Sequence, residues 1–382
     1  MLAAAMAPSP TPQPAFNSGD PLYSELWRAC AGPLATVPRP GDLVFYFLQG
    51  HIEQVEADTN QVAQNQTRLY NLPSKLLCRV LNVELKAEPY TDEVYAQIMI
   101  MLEPEISLLG LGFFMQQNEV AAVDKASSGS IATLPRPALS SFWKTLTPSD
   151  VSTHGAFSLL RRHANDCLPP LDMTQSPPTQ ELVAKDLHGI EWRFRHIFRG
   201  MSSFPAYSAY QFPDPVLNFS CFPCRGENGD IRVGVRRAMR QLSNAPSSVI
   251  SSQSLHLEVL ATAWHAINTR NMFTVNYKPR TSPSEFIVPY DQYMESVKNN
   301  YSIGTKFRMR FDGGEVPEQR FTGTVVGWEN LDPLWPESSW RCLKVRWDEP
   351  STIPRPDRVS PWKIELDSSS LIVAMAQHKL SD

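Results

Sequence analysis

The sequence predicts a mainly β protein with short helices, an α+β chain built from more than one domain. Three observations point there. Short segments that alternate apolar and polar residues, rich in Val, Ile and Tyr, recur from Leu43 onward. Helical spacing is confined to a few stretches. From Gly304 the chain becomes a run of short, even strands with turns (GTKFRMRFDG, RFTGTVVGW, SSWRCLKVRWDE, RPDRVSPWKIE), the pattern of a small SH3-like barrel. With 382 residues, 42% of them hydrophobic, there is material for two or three domains.

The first ordered element is a helix in DPLYSELWRACAG. Asp20 caps it, Pro21 suits the first helical position and Gly32–Pro33 stops it. Leu22, Leu26 and Ala29–Cys30 share one face, with Trp27 beside them. GDLVFYFLQGHIEQV then reads as β patterning, and RLYNLPSKLLCRVLNVELKAEP and DEVYAQIMIMLEP add strands. Residues 105–140 break the pattern with an apolar run, Ile106 to Met115, and a polar linker. In the next stretch Ser149 or Asp150 can cap a short helix, and FSLLRRHANDCLP puts Phe157, Leu160 and Ala164 on one helical face. QELVAKDLHGIEWRFRHIFRG is a hairpin about a His-Gly turn. Beyond Gly200, Pro205, Pro213 and Pro215 argue against a central strand, so residues 201–223 are expected to form an irregular excursion. GENGDIRVGVRRAMRQ resumes β patterning. A helix over 255–267 follows, with Leu257, Leu260, Trp264 and Ile267 as its core face.

Net charge is -4, but it is unevenly spread. Residues 1–140 hold 8 Lys+Arg against 14 Asp+Glu (-6), residues 141–240 hold 12 against 9 (+3), and residues 241–382 hold 15 against 16 (-1). The middle third is the net basic stretch, where phosphates would sit. Six scattered cysteines favour a reducing compartment over a disulfide framework. The N-terminus lacks a basic flank and runs into prolines, which reads as a tail and not a signal peptide. Ile106 to Met115 is about half of the ~20 residues a bilayer span requires, so a soluble chain with no membrane partner is expected.

Several long strings are specific enough to resemble a family. DPLYSELWRACAGPLATVPRPGD, KTLTPSDVSTHGAFSLLRRHANDCLPPLDM, PPTQELVAKDLHGIEWRFRHIFRG, RGENGDIRVGVRRAMRQ, VLATAWHAI and FTVNYKPRTSPSEFIVPYDQYMESVKNNYSIG are similar to the auxin response factors of plants. The resemblance implies a B3-type open β-barrel that binds double-stranded DNA, inserted in a split dimerisation domain and followed by a Tudor-like ancillary barrel. On that basis the organisation is a tail (1–19), a first dimerisation segment (20–104), a linker (105–140) and the B3-type domain (141–242, with 201–223 aberrant). A second dimerisation segment (243–300), the ancillary domain (301–366) and a tail (367–382) follow. The implied function is nuclear regulation of auxin-responsive transcription through promoter elements containing TGTC, with homo- and heterodimers as partners. Full-length members carry a further regulatory region and an oligomerisation domain, and the sequence stops at Asp382 before them.

Five departures from the family pattern stand out. The basic stretch expected after FRG is replaced by Met201 to Pro223, without its arginines. Ile106 to Met115 has no counterpart, Trp143 stands where a Cys is expected, Ala156 replaces the second Gly of THGG, and Glu258 replaces a Gly. The first of these opens a second reading, a chain defective in DNA binding that dimerises with or titrates family members.

The resemblance places His154 and Gly155 in one DNA-reading loop and Arg199 at the base of a second. An arginine can pair bidentately with guanine. Arg161, Arg162, Arg236 and Arg237 suit supporting phosphate contacts, which orient without reading sequence. Glu258, Ala261, Thr262 and His265, mostly small, form the expected dimer face. Cys221 and Cys224 form a lone CFPC with no second ligand pair nearby, so no metal is expected. His163, His188 and His196 lack metal spacing. Trp328, Trp335, Trp340, Trp347 and Trp362 are expected in the small barrel's core, the alternative being an aromatic cage. No catalytic constellation, cofactor motif or small-molecule substrate site is legible, so an enzyme is not expected.

Overall fold

The computed structural model describes residues 20–59, 70–89, 91–103, 140–142, 144–145, 156–198, 206–209, 219–225, 229–237, 252–282, 284–299, 301–312, 318–330, 335, 337–350 and 355–366. Over these residues the chain is mainly β with five short α-helices. The order is α1 (Pro21–Ala31), β1 (Leu43–Phe47), α2 (Leu48–Thr59), β2 (Lys75–Ala87), β3 (Val94–Leu102), β4 (Ser140–Ser141), β5 (Lys144–Thr145), β6 (Ala156–Ser158) and α3 (Arg161–Cys167). It continues through β7 (Thr179–Lys185), β8 (Glu191–Ile197), β9 (Ala206–Ala209), β10 (Phe219–Arg225), β11 (Ile231–Arg237), α4 (Ser252–Thr269), β12 (Phe273–Tyr277), β13 (Ile287–Pro289) and α5 (Tyr290–Lys298). Five strands complete it: β14 (Lys306–Phe311), β15 (Gln319–Trp328), β16 (Leu343–Trp347), β17 (Arg358–Val359) and β18 (Glu365–Leu366). Two compact units result.

One unit comprises Met1–Cys30, Leu85–Val94 and Ser130–Met239. Its sheet runs β4-β10-β11-β7-β8-β9-β6, with β5 also on β10, and curls into a half-barrel. Every pairing is antiparallel except β11 on β7. Phe142, Leu159, Ala164, Cys167, Leu182, Ala184, Ile231 and Val233 fill its core. The Asp20 carboxylate caps α1 by accepting the Leu22 N–H at 2.9 Å, and its other oxygen meets Arg232 of β11 at 2.7 Å. Where α1 crosses β11 the strand carries Gly234, and a Cβ there would lie 2.6 Å from Cys30 Sγ and 2.7 Å from Leu26 Cδ1.

Two expectations need correction in this unit. Residues 206–209 and 219–223 are not an irregular excursion. β9 pairs with both β6 and β8, and β10 pairs with β11, β4 and β5. On β10, Pro223 falls between the registers of β4 (Cys224 opposite Ser141) and β5 (Cys221 opposite Lys144), so among the described residues neither strand pairs with it. The rest of 201–223 lies outside the described residues. Phe157, Leu160 and Ala164 do not share a helical face either. Phe157 is in β6, Leu160 is an extended, exposed N-cap, and α3 buries Ala164 and Cys167.

The other unit comprises Ala31–Glu84, Tyr95–Gly129 and Arg240–Asp382. Its first sheet runs β12-β3-β2-β1-β13. The LVFYF of β1 is buried on both faces from Val44 on, whereas β12 alternates, burying Phe273, Val275 and Tyr277. β patterning was expected to continue through LQGHIEQV, but the strand ends at Phe47. Leu48, Ile52 and Val55 recur at helical spacing, and the segment folds as α2. Buried Gln54 of α2 joins the helix to the sheet: its amide donates to the Asn276 carbonyl at 2.8 Å and accepts from the Lys278 N–H at 2.7 Å.

The second sheet of this unit is the antiparallel array β17-β16-β15-β14-β18, around Phe307, Val325, Cys342, Leu343, Val345, Val359 and Ile364. The tryptophans divide differently from expectation. Trp335, Trp340 and Trp362 are buried but are not in the barrel's own core; Trp340 and Trp362 pack against Phe47 of β1. Trp362 stacks on Phe47 at 4.6 Å, Trp340 donates its N–H to Glu53 at 2.8 Å, and Trp335 donates to the Leu72 carbonyl at 2.9 Å. Trp328 is exposed, and Trp347 packs half-buried on the barrel core.

Candidate nucleic-acid interface

His154, Gly155 and Arg199 lie outside the described residues, but the strands that root their loops do not. β6 begins at Ala156, one residue after Gly155, and β8 ends at Ile197, with Phe198 leading to Arg199. Both strands pair with β9, so they sit two positions apart in the sheet. Register aligns Ala156 with Ser208 and Arg195, and Ser158 with Ala206 and Ile197. Two residues along a strand and two strands across separate the roots by about 12 Å. Because β6 and β8 run the same way, the chain enters β6 at one end of this patch and leaves β8 at the other.

The arginines follow that division. Arg161 and Arg162 open α3 and are exposed, and the Arg161 guanidinium lies 5.9 Å from the Phe198 ring centroid, beside the root of Arg199. The Arg162 Nε–H donates to His163 Nε2 at 3.2 Å, while the His163 ring stacks on Phe142 at 5.1 Å. β11 runs parallel to β7 and continues past its end at Lys185, so Arg236 and Arg237 lie at the β7–β8 turn, away from Phe198. The structure thus gathers Arg161, Arg162 and the second root at one end, and sets Arg236 and Arg237 toward the end where Gly155 enters.

His188 and His196 of this unit are held by their own surroundings. Burial pushes His196 down to about 4, so it is neutral and brings no charge to a phosphate at neutral pH. His188, in the β7–β8 turn, bonds Asp92 at 3.0 Å, and that bond holds its pKa above the ordinary value despite partial burial. The turn itself is organised by Asp186, which accepts the N–H groups of His188 and Ile190 and the indole of Trp192 at 2.8 to 2.9 Å. Among the described residues no group of three or more His, Cys, Asp or Glu could hold a metal, and no helix is long and apolar enough to cross a membrane. Cys30, Cys78, Cys167 and Cys342 are buried thiols, and the Cys221 and Cys224 side chains lie outside the described set.

A profile described as the auxin response factor ancillary domain matches residues 286–368. The chain is 71% identical over 371 residues to Auxin response factor 4 of Oryza sativa subsp. japonica, covering 96% of this chain and 44% of that protein. It is 66% identical over 350 residues to Auxin response factor 2A of Solanum lycopersicum, covering 90% of this chain and 40% of that one. Auxin response factor 2 of Arabidopsis thaliana is 65% identical over 350 residues, again over 90% of this chain and 39% of that protein. The chain belongs to the auxin response factor family. It spans less than half the length of these relatives.

The ancillary match that places it among the auxin response factors begins at Phe286, before the barrel. It takes in β13, which pairs with β1 of the other sheet, so the matched segment is stitched into both sheets of this unit. On α4 the faces need correction. The buried side is His256, Val259, Leu260, Ala263 and Ala266, with Ile267 half-buried, whereas Leu257 (37%) and Trp264 (45%) are exposed. Leu257, Ala261 and Trp264 recur at helical spacing, so they line the outward stripe together with Glu258, Thr262 and His265. Glu258 and His265 are exposed, and Ala261 and Thr262 half-buried. Leu257, Leu260, Trp264 and Ile267 do follow helical spacing, but the helix turns a face built on Val259, Ala263 and Ala266 inward instead.

Proposed function

We propose that the chain is the DNA-binding and dimerising part of a nuclear auxin response factor. In this reading it recognises TGTC-containing promoter elements in double-stranded DNA and regulates auxin-responsive transcription as a homo- or heterodimer. It is not an enzyme and takes no small-molecule substrate or cofactor. The observation that supports it is the loop-bearing edge of the half-barrel, where Arg161 lies against Phe198 beside the root of Arg199, with Arg162 exposed next to it. His154, Gly155 and Arg199 read bases, and Arg161, Arg162, Arg236 and Arg237 meet phosphates. Dimers form through the outward face of α4 at Glu258, Ala261, Thr262 and His265.

One observation favours a second reading, an interaction-only variant that dimerises with or titrates other members. The roots of the two reading loops leave opposite ends of the β6–β9–β8 patch, a poor arrangement for gripping one groove segment from both sides. A direct titration at physiological salt decides between them, using TGTC-containing and scrambled duplexes. A hundredfold or greater preference supports the first reading. A preference below about tenfold, with dimer formation retained, supports the second. In that case replacing 201–223 by the basic family segment restores discrimination. It also steepens the salt dependence by about one unit per phosphate contact regained.

A further inference from the structure

The outward face of the barrel sheet carries a concentration of positive charge that a count along the sequence hides. Residues 241–382 balance 15 Lys+Arg against 16 Asp+Glu, yet seven of those cations stand at outward positions of β14 to β17. Alternation seals Phe307 of β14 in the core and turns Lys306, Arg308 and Arg310 to solvent. Register sets Thr324, Thr322 and Arg320 of β15 beside them, in that order. β16 adds Arg346, opposite Thr324, and Lys344, which faces Arg358 of β17. Two carboxylates enter the face: Asp348, 2.9 Å from Lys306, and Glu365 of β18, beside Arg308 and 3.1 Å from Arg310. Seven against two leaves +5, and Glu318 and Glu329, paired at its rim with Arg320 and Arg358, reduce this to +3.

A sheet face shaped by stability alone would alternate signs across the ladder, because like charges directly opposite each other destabilise it. Here Arg310 stands opposite Arg320, and Lys344 opposite Arg358. Glu365 spans the first pair, at 3.1 and 4.0 Å, and Glu329 holds Arg358. Lys344 and Arg346 are exposed and meet no carboxylate among the described residues. Every outward position that the register aligns from β14 through β15 to Arg346 is a cation or a threonine.

That composition selects the partner. An acidic protein would need apolar anchors to bind with useful affinity, and the aligned outward positions supply none. A nucleic-acid backbone needs only charge. Five of the seven cations are arginines, whose forked donors match phosphate oxygens. Along β14 the charges recur every two residues, about 6.7 Å, and neighbouring strands lie about 4.8 Å apart. A duplex presents one charge per about 1.7 Å of its axis, so several phosphates can be met at once. We propose that this outward face of the ancillary sheet is a second contact for duplex DNA, one that holds the phosphate backbone without reading sequence. The proposal rests on the DNA-binding reading for the identity of its partner but uses none of the base-reading residues.

The experiment uses the full chain, intact, as Lys344→Gln with Arg346→Gln, and as Glu365→Gln. Labelled TGTC-containing and scrambled duplexes are titrated by anisotropy over a salt series. The double variant is expected to weaken both duplexes by about tenfold at 0.1 M salt and to lower the salt slope by about two units, one per phosphate contact. The ratio between the duplexes stays unchanged. Glu365→Gln, which releases Arg310, acts in the opposite sense: both duplexes bind more tightly and the slope steepens by about one unit. If the double variant does not fold, the gain in Glu365→Gln decides alone. A folded double variant that binds both duplexes like the intact chain overturns the proposal, as does an intact chain that binds neither duplex at low salt. A glutamate peptide whose binding is lost in the double variant while duplex binding is kept also overturns it, in favour of an acidic protein. Equal affinity for the two duplexes, with the slope change present, refutes base reading and leaves this contact standing. A TGTC preference with no slope change does the reverse.

Discussion

Gly50 is where the ancillary barrel bears on α2, and substituting it measures how tightly the two are joined. An alanine Cβ at this position would stand 2.4 Å from Trp340 Cη2, 2.5 Å from Phe286 Cβ and 2.6 Å from Trp340 Cζ2. None of these atoms is the loose end of a flexible chain. Trp340 is 1% exposed, packs on Phe47 at 5.6 Å and on Trp362 at 5.9 Å, and is pinned by its bond to Glu53. Overpacking of this kind costs typically ~1–3 kcal/mol, whereas the helix propensity gained on replacing Gly by Ala returns at most ~1 kcal/mol. Because the clash is against a pinned indole on one side and the Phe286 Cβ on the other, the net loss for Gly50→Ala is expected near the upper end, about 2 kcal/mol. For a unit of this size that lowers Tm by roughly 4–8 °C. Thermal unfolding followed by tryptophan fluorescence reads it. In a Trp340→Phe background the cost of Gly50→Ala should shrink by more than half, since two of the three close contacts are to the indole. A neutral or stabilising Gly50→Ala, or an undiminished cost in the Trp340→Phe background, refutes the packing described here.

Three further outcomes are expected. Burial holds His51 at about 4, against ~6.5 for an unfolded chain. Its contribution, about 3 kcal/mol, is thus present above pH ~6.5 and lost as pH falls toward 4, so stability measured by denaturant should drop steeply over that window and less so in His51→Phe. His188 behaves in the opposite sense. Its pKa is raised by Asp92, so the pair stabilises its unit below pH ~6.5 and the effect fades as pH rises through the raised value. Asp92→Asn should flatten that limb, as read by hydrogen exchange in the β7–β8 turn. Glu258→Gly should raise the dimer fraction in sedimentation at micromolar concentration, although glycine in an exposed helix costs about 1 kcal/mol of stability. A tight dimer with Glu258 in place, unchanged by the substitution, argues against α4 as the contact face.

Much of the fold is legible where a local signal and its tertiary setting agree. Asp20–Pro21 announces α1, and the His-Gly turn announces β7 and β8. The failures share a cause. LQGHIEQV directly continues the β pattern of LVFYF, so its helical spacing at Leu48, Ile52 and Val55 is masked in so short a run, and burial of that face completes the helix. Pro223 argues against a strand only if both sides of that strand must be paired, and among the described residues neither β4 nor β5 pairs with it. Leu257 and Trp264 read as core because apolar residues usually are. Only the placement of α2 and β12 tells that the helix turns Val259, Ala263 and Ala266 inward instead.

The candidate site depends on which of these levels is asked. Its residues are recognisable from the family resemblance, but their grouping follows from strand direction, which no single string encodes. β9 is the element that fixes it. By pairing antiparallel with both neighbours, AYSA forces β6 and β8 to run the same way and so sends the two reading loops to opposite ends. On the proposed reading, these four uncharged residues therefore bear on DNA recognition twice. They lie where the family's arginines would be, and they set the polarity of the strand that roots the other loop. The unit holding α4 and the barrel contains none of these residues. On the proposed reading, a dimer face on α4 persists when DNA reading fails, which is the physical condition for the interaction-only alternative proposed above.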